Sequence, residues 1–155
     1  MKKELIINSN KTQIVILAGG RSTRFGGGYK TLYQFNNQSL LDRILKNFEL
    51  LDIEIALNVN SNEKEFKNTG LNLIKDEIKN FQGPLAGIYS SIKWIIKNKK
   101  GIEWIFTIPS DTPFLHSNIL KKFFKTKFLQ NTKIILAKNS NKIHPVIGIW
   151  HISIL

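Results

Sequence analysis

Apolar residues follow two different patterns along the chain, continuous runs and repeats of three or four positions. The segment QIVILAG at 13–19 is a continuous apolar run that ends in glycine, which is typical of a strand buried on both faces. The segment 39–51 instead repeats its apolar residues every three or four positions, as one face of a helix does. Ser39, followed three positions later by Asp42, forms a predicted N-cap pair for that helix. This part of the chain therefore predicts a buried strand, a glycine-rich loop and an amphipathic helix.

The same alternation continues through the rest of the sequence. Further strands are predicted at 53–60, 71–76, 103–113 and 133–138, and further helices near 62–68, 83–101 and 117–128. The helix at 83–101 is expected to begin near Pro84 and to end at Gly101. Residues 143–155 are largely apolar and β-branched. Strands that alternate with helices predict an α/β fold with a mostly parallel sheet, and the absence of a linker or repeat predicts a single domain over 1–155.

Composition narrows the class of protein. The chain has 155 residues and no cysteine, which excludes disulfides, thiolate zinc sites and cysteine nucleophiles. The opening residues 1–13 hold an apolar run of only three residues, too short for a signal-peptide core or a membrane anchor. We therefore expect a cytoplasmic protein that does not insert into a membrane.

The net charge of +12 could indicate a nucleic-acid binder, because clustered lysine and arginine neutralise backbone phosphates. Of the 23 basic residues, however, 20 are lysine and 3 are arginine, and the lysines are scattered. Arginine is the usual residue for bidentate recognition of phosphates and bases. The charge therefore favours a solvated surface over a nucleic-acid footprint, although such a positive field would help to attract a nucleotide triphosphate.

The loop after the first predicted strand has the chemistry of a phosphate site. Its sequence, LAGGRSTRFGGGYKT at 17–31, fits neither the Walker A motif nor the dinucleotide-binding fingerprint, because its glycines and lysine are out of register. Glycines let backbone N–H groups approach a phosphate closely, and fixed cations add charge. The residues available are Gly19, Gly20, Gly26, Gly27 and Gly28 with Arg21, Arg24 and Lys30. A surface loop with incidental basic residues is the alternative.

Polar residues also follow the other strands, at the end where ligands collect in open α/β sheets. Asp111, in IPSDTP, could hold Mg²⁺ together with substrate phosphates, or it could cap the following turn. Asp76 ends the preceding strand, and the neighbouring Glu77 is an equally plausible acid there. His144, in His144-Pro145, is a further candidate whose alternative is a structural role. The chemistry that these residues offer is electrostatic, with cations and a metal acting on phosphates.

Taken together, these residues resemble the molybdenum cofactor guanylyltransferase family. The opening L-A-G-G-x-S-x-R-x-G followed by lysine matches Leu17 to Lys30 in order and spacing. The remaining matches are N-V-N at 58–60, G-L-x-L-I-x-D at 70–76, G-P-L-A-G at 83–87, S-D-T-P at 110–113 and His144-Pro145. The resemblance covers roughly 13–150 and implies a three-layer α/β/α Rossmann-like nucleotidyltransferase fold.

The resemblance implies a transfer of GMP from GTP to molybdopterin, with Mg²⁺ as cofactor and release of pyrophosphate. Proteins that deliver the cofactor or mature molybdoenzymes are implied partners, and nucleic acid and membranes are not. The implied catalytic residues are Arg24, Lys30 and Asp111, of which Asp111 holds the metal. The implied nucleotide-binding residues are Leu17, Ala18, Gly19, Gly20, Lys30, Asn58, Asp76, Pro84, Leu85, Gly87 and Asp111.

The sequence departs from the family pattern at two places. Tyr29 stands where the family usually has Asp immediately before the lysine, and the chain stops at Leu155, before the final strand and helix that the resemblance implies. Three alternatives stay open: a related nucleotidyltransferase that uses CTP or a sugar phosphate, a GTP-binding protein without catalysis, and a basic nucleic-acid-binding module.

Overall fold

The structure, a computed structural model, describes residues 4–19, 29–60, 63–78 and 83–155, with the side chain of residue 63 excepted. Six strands form the main sheet: β1 Thr12–Leu17, β2 Ile55–Val59, β3 Asn72–Lys75, β4 Trp104–Pro109, β5 Ile134–Asn139 and β6 Lys142–His151. Four α-helices are described: α1 Leu40–Phe48, α2 Glu63–Phe66, α3 Pro84–Asn98 and α4 Asn118–Lys125. Two short strand pairs join Glu4–Leu5 to Phe128–Leu129 and Gln34–Phe35 to Gln38–Ser39.

The main sheet confirms the predicted α/β fold with mostly parallel strands. Its order is β3-β2-β1-β4-β6-β5, and the first four strands are parallel neighbours. Only β6 runs against the others in this sheet, antiparallel to both β4 and β5. The strand order reverses direction between β1 and β4, the position at which doubly wound sheets open a crevice. We call the side where β1 to β4 end the carboxyl edge.

Helices cover both faces of the sheet, which confirms the three-layer arrangement. Helices α1 and α4 pack on one face, where Leu41, Ile44 and Phe48 join Leu120 and Phe123 in a single cluster with the strands. Helix α3 packs on the other face through Ile88, Ile92 and Ile95. All six residues of β1 are buried, because the strand lies between the two helical layers. The continuous apolar run thus reports burial on both faces, as predicted.

Helix α1 begins where the sequence predicts. The Ser39 hydroxyl accepts a hydrogen bond from the Asp42 amide at 3.0 Å, and the Asp42 carboxylate accepts one from the Ser39 amide at 2.9 Å. This reciprocal capping box satisfies two N–H groups that the first turn would otherwise leave without partners.

Three predicted helix ends are wrong, and the first is that of α1, which ends at Phe48, three residues before the predicted end at 51. Helix α3 ends at Asn98, three residues before the predicted stop, although Gly101 does adopt the left-handed conformation at φ 91°. The helix predicted over 117–128 ends at Lys125, because Phe128–Leu129 pairs with Glu4–Leu5 in an antiparallel ladder. Pairing with a segment more than 120 residues away outweighs the local helical pattern. Among the described residues, no helix is long and apolar enough to cross a membrane.

One buried side chain in β1 lacks the partners that its chemistry requires. Gln13 is fully buried on the α3 face, and neither its amide nitrogen nor its side-chain oxygen has a hydrogen-bond partner among the described residues. Replacing Gln13 with methionine, which has nearly the same shape, should raise the free energy of unfolding by about 1–2 kcal/mol. Urea titration measures this, with exposed Gln34→Met as the control that should change little. An unchanged or lower stability of Gln13→Met would contradict the prediction.

Candidate functional site

The end of β1 joins two neighbouring strand ends at the carboxyl edge. The Ser110 amide, just beyond β4, donates a hydrogen bond to the Leu17 carbonyl at 3.1 Å. On the other side, the Ala18 amide donates to the Asn58 carbonyl in β2 at 2.8 Å. Leu17 and Ala18 are buried, whereas Gly19 is partly exposed. The chain therefore leaves the sheet at Gly19, between the ends of β2 and β4.

Gly19 is in direct contact with the side chain of Asn60. The Asn60 side-chain amide donates a hydrogen bond to the Gly19 carbonyl. A Cβ atom on Gly19 would lie 2.9 Å from Cγ of Asn60, closer than real Cβ contacts. A side chain at this position would therefore have to displace the side chain of Asn60, which glycine leaves in place.

An amide and a carboxylate meet at the ends of β2 and β3. Asn58 is 2% exposed, and its Nδ2 donates to the Ile74 carbonyl at 3.2 Å and to Oδ1 of Asp76 at 2.7 Å. Burial raises the pKa of the Asp76 carboxyl above its ordinary value, and the hydrogen bond from Asn58 acts in the opposite direction. Glu77, the alternative acid, points away from this contact, because its Oε2 lies 2.5 Å from Nζ of Lys93 on the surface.

The first turn of α3 packs against the Asn58 side of the Asn58–Asp76 pair. Gly83 adopts φ 81° just before the helix, and Pro84 occupies its first turn, where the missing N–H costs nothing. A Cβ on Gly87 would come within 3.0 Å of Oδ1 of Asn58 and would lie 3.3 Å from Cδ2 of Leu17. Leu85, by contrast, is 65% exposed. We call Asn58, Asp76 and Gly87 the amide–carboxylate cluster.

A second charged contact lies at the ends of β1 and β4. Nζ of Lys30 is 3.8 Å from Oδ2 of Asp111, and both side chains are substantially exposed, at 40% and 56%. The turn after β4 is closed by Thr112, whose hydroxyl donates to the Pro109 carbonyl at 2.8 Å. The Asp111 carboxylate therefore faces Lys30 in a turn that a neighbouring side chain already holds.

Tyr29, the residue that precedes this lysine, is directed into the core. Its ring meets the Phe66 ring edge to face, with centroids 4.8 Å apart and planes at 71°. Phe66 is fully buried. Lys30 thus follows a residue anchored by aromatic packing in place of the carboxylate that the resemblance implies there.

Of the other predicted residues, His144 lies elsewhere in the structure, and some lie outside the described part of the chain. Gly20 and Arg24, together with the other loop residues 21–28, lie outside the described residues. His144 lies in β6, where its Nε2 is 3.0 Å from Oδ1 of Asn139 in β5. The site that the structure describes therefore consists of the amide–carboxylate cluster, the Lys30–Asp111 ion pair and the β1 end between them.

A family model for the MobA-like NTP transferase domain matches residues 14–155, which is nearly the whole chain. The chain belongs to the MobA-like NTP transferase domain family. The sequence resemblance to molybdenum cofactor guanylyltransferases is therefore confirmed at the level of the family.

A curated relative agrees with this assignment, and solved structures share the fold. A molybdenum cofactor guanylyltransferase from Nitrobacter hamburgensis is 32% identical over 143 residues, covering 92% of this chain and 68% of that protein. The crystal structure of molybdopterin-guanine dinucleotide biosynthesis protein A from Archaeoglobus fulgidus superposes with a TM-score of 0.66 at 17% identity, covering 91% of this chain and 68% of that one. A manganese complex of a Mycobacterium tuberculosis protein has a TM-score of 0.64 at 15% identity, with 93% and 72% covered. The two structural similarities concern the fold, and this MobA-like chain spans about two thirds of its Nitrobacter relative.

The residues of this MobA-like domain can be tested for their fit to a divalent cation. Among the described residues, no group of three or more acidic or histidine side chains could hold a metal ion by itself. Mg²⁺ typically takes one or two protein carboxylates and completes its shell with phosphate oxygens and water. The exposed Asp111 carboxylate fits that pattern, because it leaves most of the shell to a bound triphosphate.

Two contacts at the site were not predicted from the sequence. The sequence gives Asn60 no role beyond its place at the end of a predicted strand, yet its side-chain amide donates a hydrogen bond to the Gly19 carbonyl. Ser90 was not singled out, yet its hydroxyl contacts the Glu77 amide across 2.9 Å. The sequence does contain a signal for Ser90. Ser90 lies next to the apolar stripe of α3, so its hydroxyl is expected to be buried and to need a hydrogen-bond partner.

Proposed function

We propose that the protein transfers GMP from GTP to molybdopterin, forming the guanine dinucleotide cofactor and releasing pyrophosphate. The observation that carries the proposal is the placement of two polar groups on either side of the β1 end. The amide–carboxylate cluster lies towards β2 and β3, and the Lys30–Asp111 pair lies towards β4. The name of the Nitrobacter relative, a molybdenum cofactor guanylyltransferase, supports guanylyl transfer to that cofactor, from which we infer GTP and molybdopterin as the substrates.

The amide–carboxylate cluster suits the nucleoside. Guanine presents N–H donors at N1 and N2, and the Asp76 carboxylate can accept hydrogen bonds from them, whereas both N–H groups of Asn58 are already donated to Ile74 and Asp76. Asn58 is held by two hydrogen bonds and is buried, so the Asp76 carboxylate has a fixed position before the ligand arrives. Gly87 lets the first turn of α3 approach that pair closely. Preorganisation of this kind improves affinity, because less ordering remains to be done on binding.

The Lys30–Asp111 pair suits the triphosphate. In the proposed reaction an oxygen of the terminal phosphate of molybdopterin forms a bond to the α-phosphorus of GTP. The bond from that phosphorus to the bridging oxygen of the β-phosphate breaks, and pyrophosphate leaves with the bond electrons. Lys30 neutralises charge that develops on the leaving oxygens, and Asp111 would hold Mg²⁺. When bound, Mg²⁺ supplies further neutralisation and helps to orient the phosphates.

Nucleotide binding is tested by thermal unfolding of the purified protein with GTP, CTP or neither, in the presence of Mg²⁺. A ligand at one hundred times its dissociation constant stabilises the native state by about 2.7 kcal/mol. We expect GTP to raise the melting temperature more than CTP at equal concentration. A larger shift with CTP would contradict the assignment of guanine and favour the CTP-using alternative.

Catalysis is tested separately by pyrophosphate release with GTP and molybdopterin, using CTP as the control nucleotide. Release that needs both GTP and molybdopterin supports the proposal. Protection by GTP without release of pyrophosphate would contradict transfer and favour the non-catalytic GTP-binding alternative. Handover to molybdoenzyme maturation proteins is an expectation from the resemblance, and a cytoplasmic location is an expectation from the sequence.

A further inference from the structure

Ser90 makes an unusual pair of hydrogen bonds from within a helix. Its hydroxyl donates to the Ala86 carbonyl one turn earlier at 2.8 Å, the ordinary local bond of a helical serine. The same oxygen accepts a hydrogen bond from the Glu77 amide, which belongs to the turn after β3, at 2.9 Å. Ser90 is 1% exposed, so water does not compete freely for these contacts. The hydroxyl therefore joins α3 to the end of β3.

The Ser90–Glu77 contact holds the backbone directly after Asp76. The Asp76 amide donates to the Val59 carbonyl in β2 at 3.3 Å, and the next amide along the chain donates to Ser90. The backbone on the two sides of the Asp76 side chain is thus held from two different elements. Its carboxylate is held by Asn58, as described above.

The other end of the Ser90 contact lies in the first turn of α3. The Ala86 carbonyl accepts the hydrogen bond from the Ser90 hydroxyl. Ala86 directly precedes Gly87, whose backbone packs against Asn58. The contacts therefore close a ring that runs from Asn58 through Asp76 and Ser90 to Gly87 and back to Asn58. Loss of the Ser90–Glu77 contact would therefore release the turn that carries Asp76 from the helix that carries Gly87.

We propose that Ser90 is a positioning residue that sets the separation between the Asp76 carboxylate and the first turn of α3, and so tunes recognition of the nucleoside. The inference rests on the proposed function, because it assigns that cluster to the nucleoside. Ser90 itself need not touch the ligand. The surface ion pair between Glu77 and Lys93 spans the same two elements, but exposed pairs contribute little to stability. The buried hydroxyl is the contact that fixes this geometry.

The chain offers a matched control in the next residue. Ser91 is fully buried, and its hydroxyl donates to the Gly87 carbonyl at 2.6 Å, the same local bond that Ser90 makes to Ala86. Ser90→Ala and Ser91→Ala therefore each remove one hydroxyl and one bond within the helix. Only Ser90→Ala also removes the acceptor of the Glu77 amide.

Two measurements on the full chain test the proposal. Ser90→Ala should raise the dissociation constant and the KM for GTP by about five- to tenfold, as expected for the loss of one partly buried hydrogen bond. Its kcat should stay within about twofold, because the ion pair at the phosphates is untouched. Hydrogen exchange of the Glu77 amide should accelerate by about tenfold in Ser90→Ala, since its acceptor is lost. Ser91→Ala should leave all of these values near wild type.

The outcomes separate this inference from the function on which it rests. Equal effects of the two alanine variants, or no effect of Ser90→Ala on the Glu77 amide, would overturn the positioning role. An accelerated Glu77 amide with an unchanged GTP affinity would overturn the link to the nucleoside. If the wild-type protein fails to bind GTP, the proposed function falls, and the part of the inference that concerns GTP falls with it. The exchange measurement would still report whether Ser90 holds the Asp76 turn.

Discussion

Asp111→Ala is expected to abolish GMP transfer while leaving the fold intact. Asp111 contributes the carboxylate of the Lys30–Asp111 pair and the protein's proposed hold on Mg²⁺. Without it, the metal loses its proposed protein carboxylate and Lys30 loses its contact with Asp111, so charge on the leaving pyrophosphate is poorly neutralised. Loss of one such group typically costs 10²–10³ in rate, and loss of a metal with it costs more, so we expect a fall of at least about 10³-fold. Pyrophosphate release under saturating GTP measures this.

The stability of the same variant separates chemistry from folding. Asp111 is more than half exposed and lies in a turn that Thr112 closes, so its removal should change the free energy of unfolding by no more than about 0.5 kcal/mol. Asp52, also an exposed aspartate, lies in the segment before β2, and Asp52→Ala is the control that should keep full activity. Unchanged turnover in Asp111→Ala would rule out the metal assignment.

Gly87→Ala is expected to weaken both the fold and GTP binding. The added methyl group would overlap Oδ1 of Asn58 and press on Leu17. Asn58 cannot simply turn aside, because it is buried and its Nδ2 is held by Ile74 and Asp76. The start of α3 must therefore retreat from the sheet. Such overpacking costs about 1–3 kcal/mol, and we expect GTP affinity to fall by at least about tenfold.

A double-mutant cycle identifies the cause of this effect. Asn58→Ala alone should destabilise the protein, because it leaves Asp76 and the Ile74 carbonyl without their donor. In the Gly87→Ala background the same change also removes the overlap, so it should cost less than it does alone. Urea titrations of the four proteins give the coupling energy. Strict additivity would show that the methyl group does not act through Asn58.

The sequence predicts the framework well, because the framework is encoded locally. The apolar run at 13–19 favours a strand buried on both faces, and the Ser39–Asp42 pair indicates a helix start by its own chemistry. The elements that it predicts poorly depend on distant partners. Phe128–Leu129 becomes a strand through Glu4–Leu5, and no local pattern reveals that pairing.

The site divides in the same way. Gly19, Asn58, Asp76 and Asp111 could be placed at the ends of strands, because apolar runs end at them. The strand pattern alone does not decide between the adjacent acids Asp76 and Glu77, and the resemblance selects Asp76. In the structure Asp76 contacts Asn58, whereas Glu77 pairs with Lys93 on the surface. The contact of Ser90 was out of reach for a similar reason. The contact depends on how closely α3 approaches the sheet. Gly87 allows a close approach, but a glycine at this position does not by itself predict one.

The reversed direction of β6 has a practical consequence for handling the protein. His151, at the end of this strand, pairs with Trp104, where β4 begins, so the segment that follows emerges on the side opposite the carboxyl edge. A tether attached at Leu155 would therefore join the protein at the edge of the sheet opposite the carboxyl edge. Biosensor chips, resins or fluorescent fusions joined there leave the approach to Asp76 and Asp111 unobstructed.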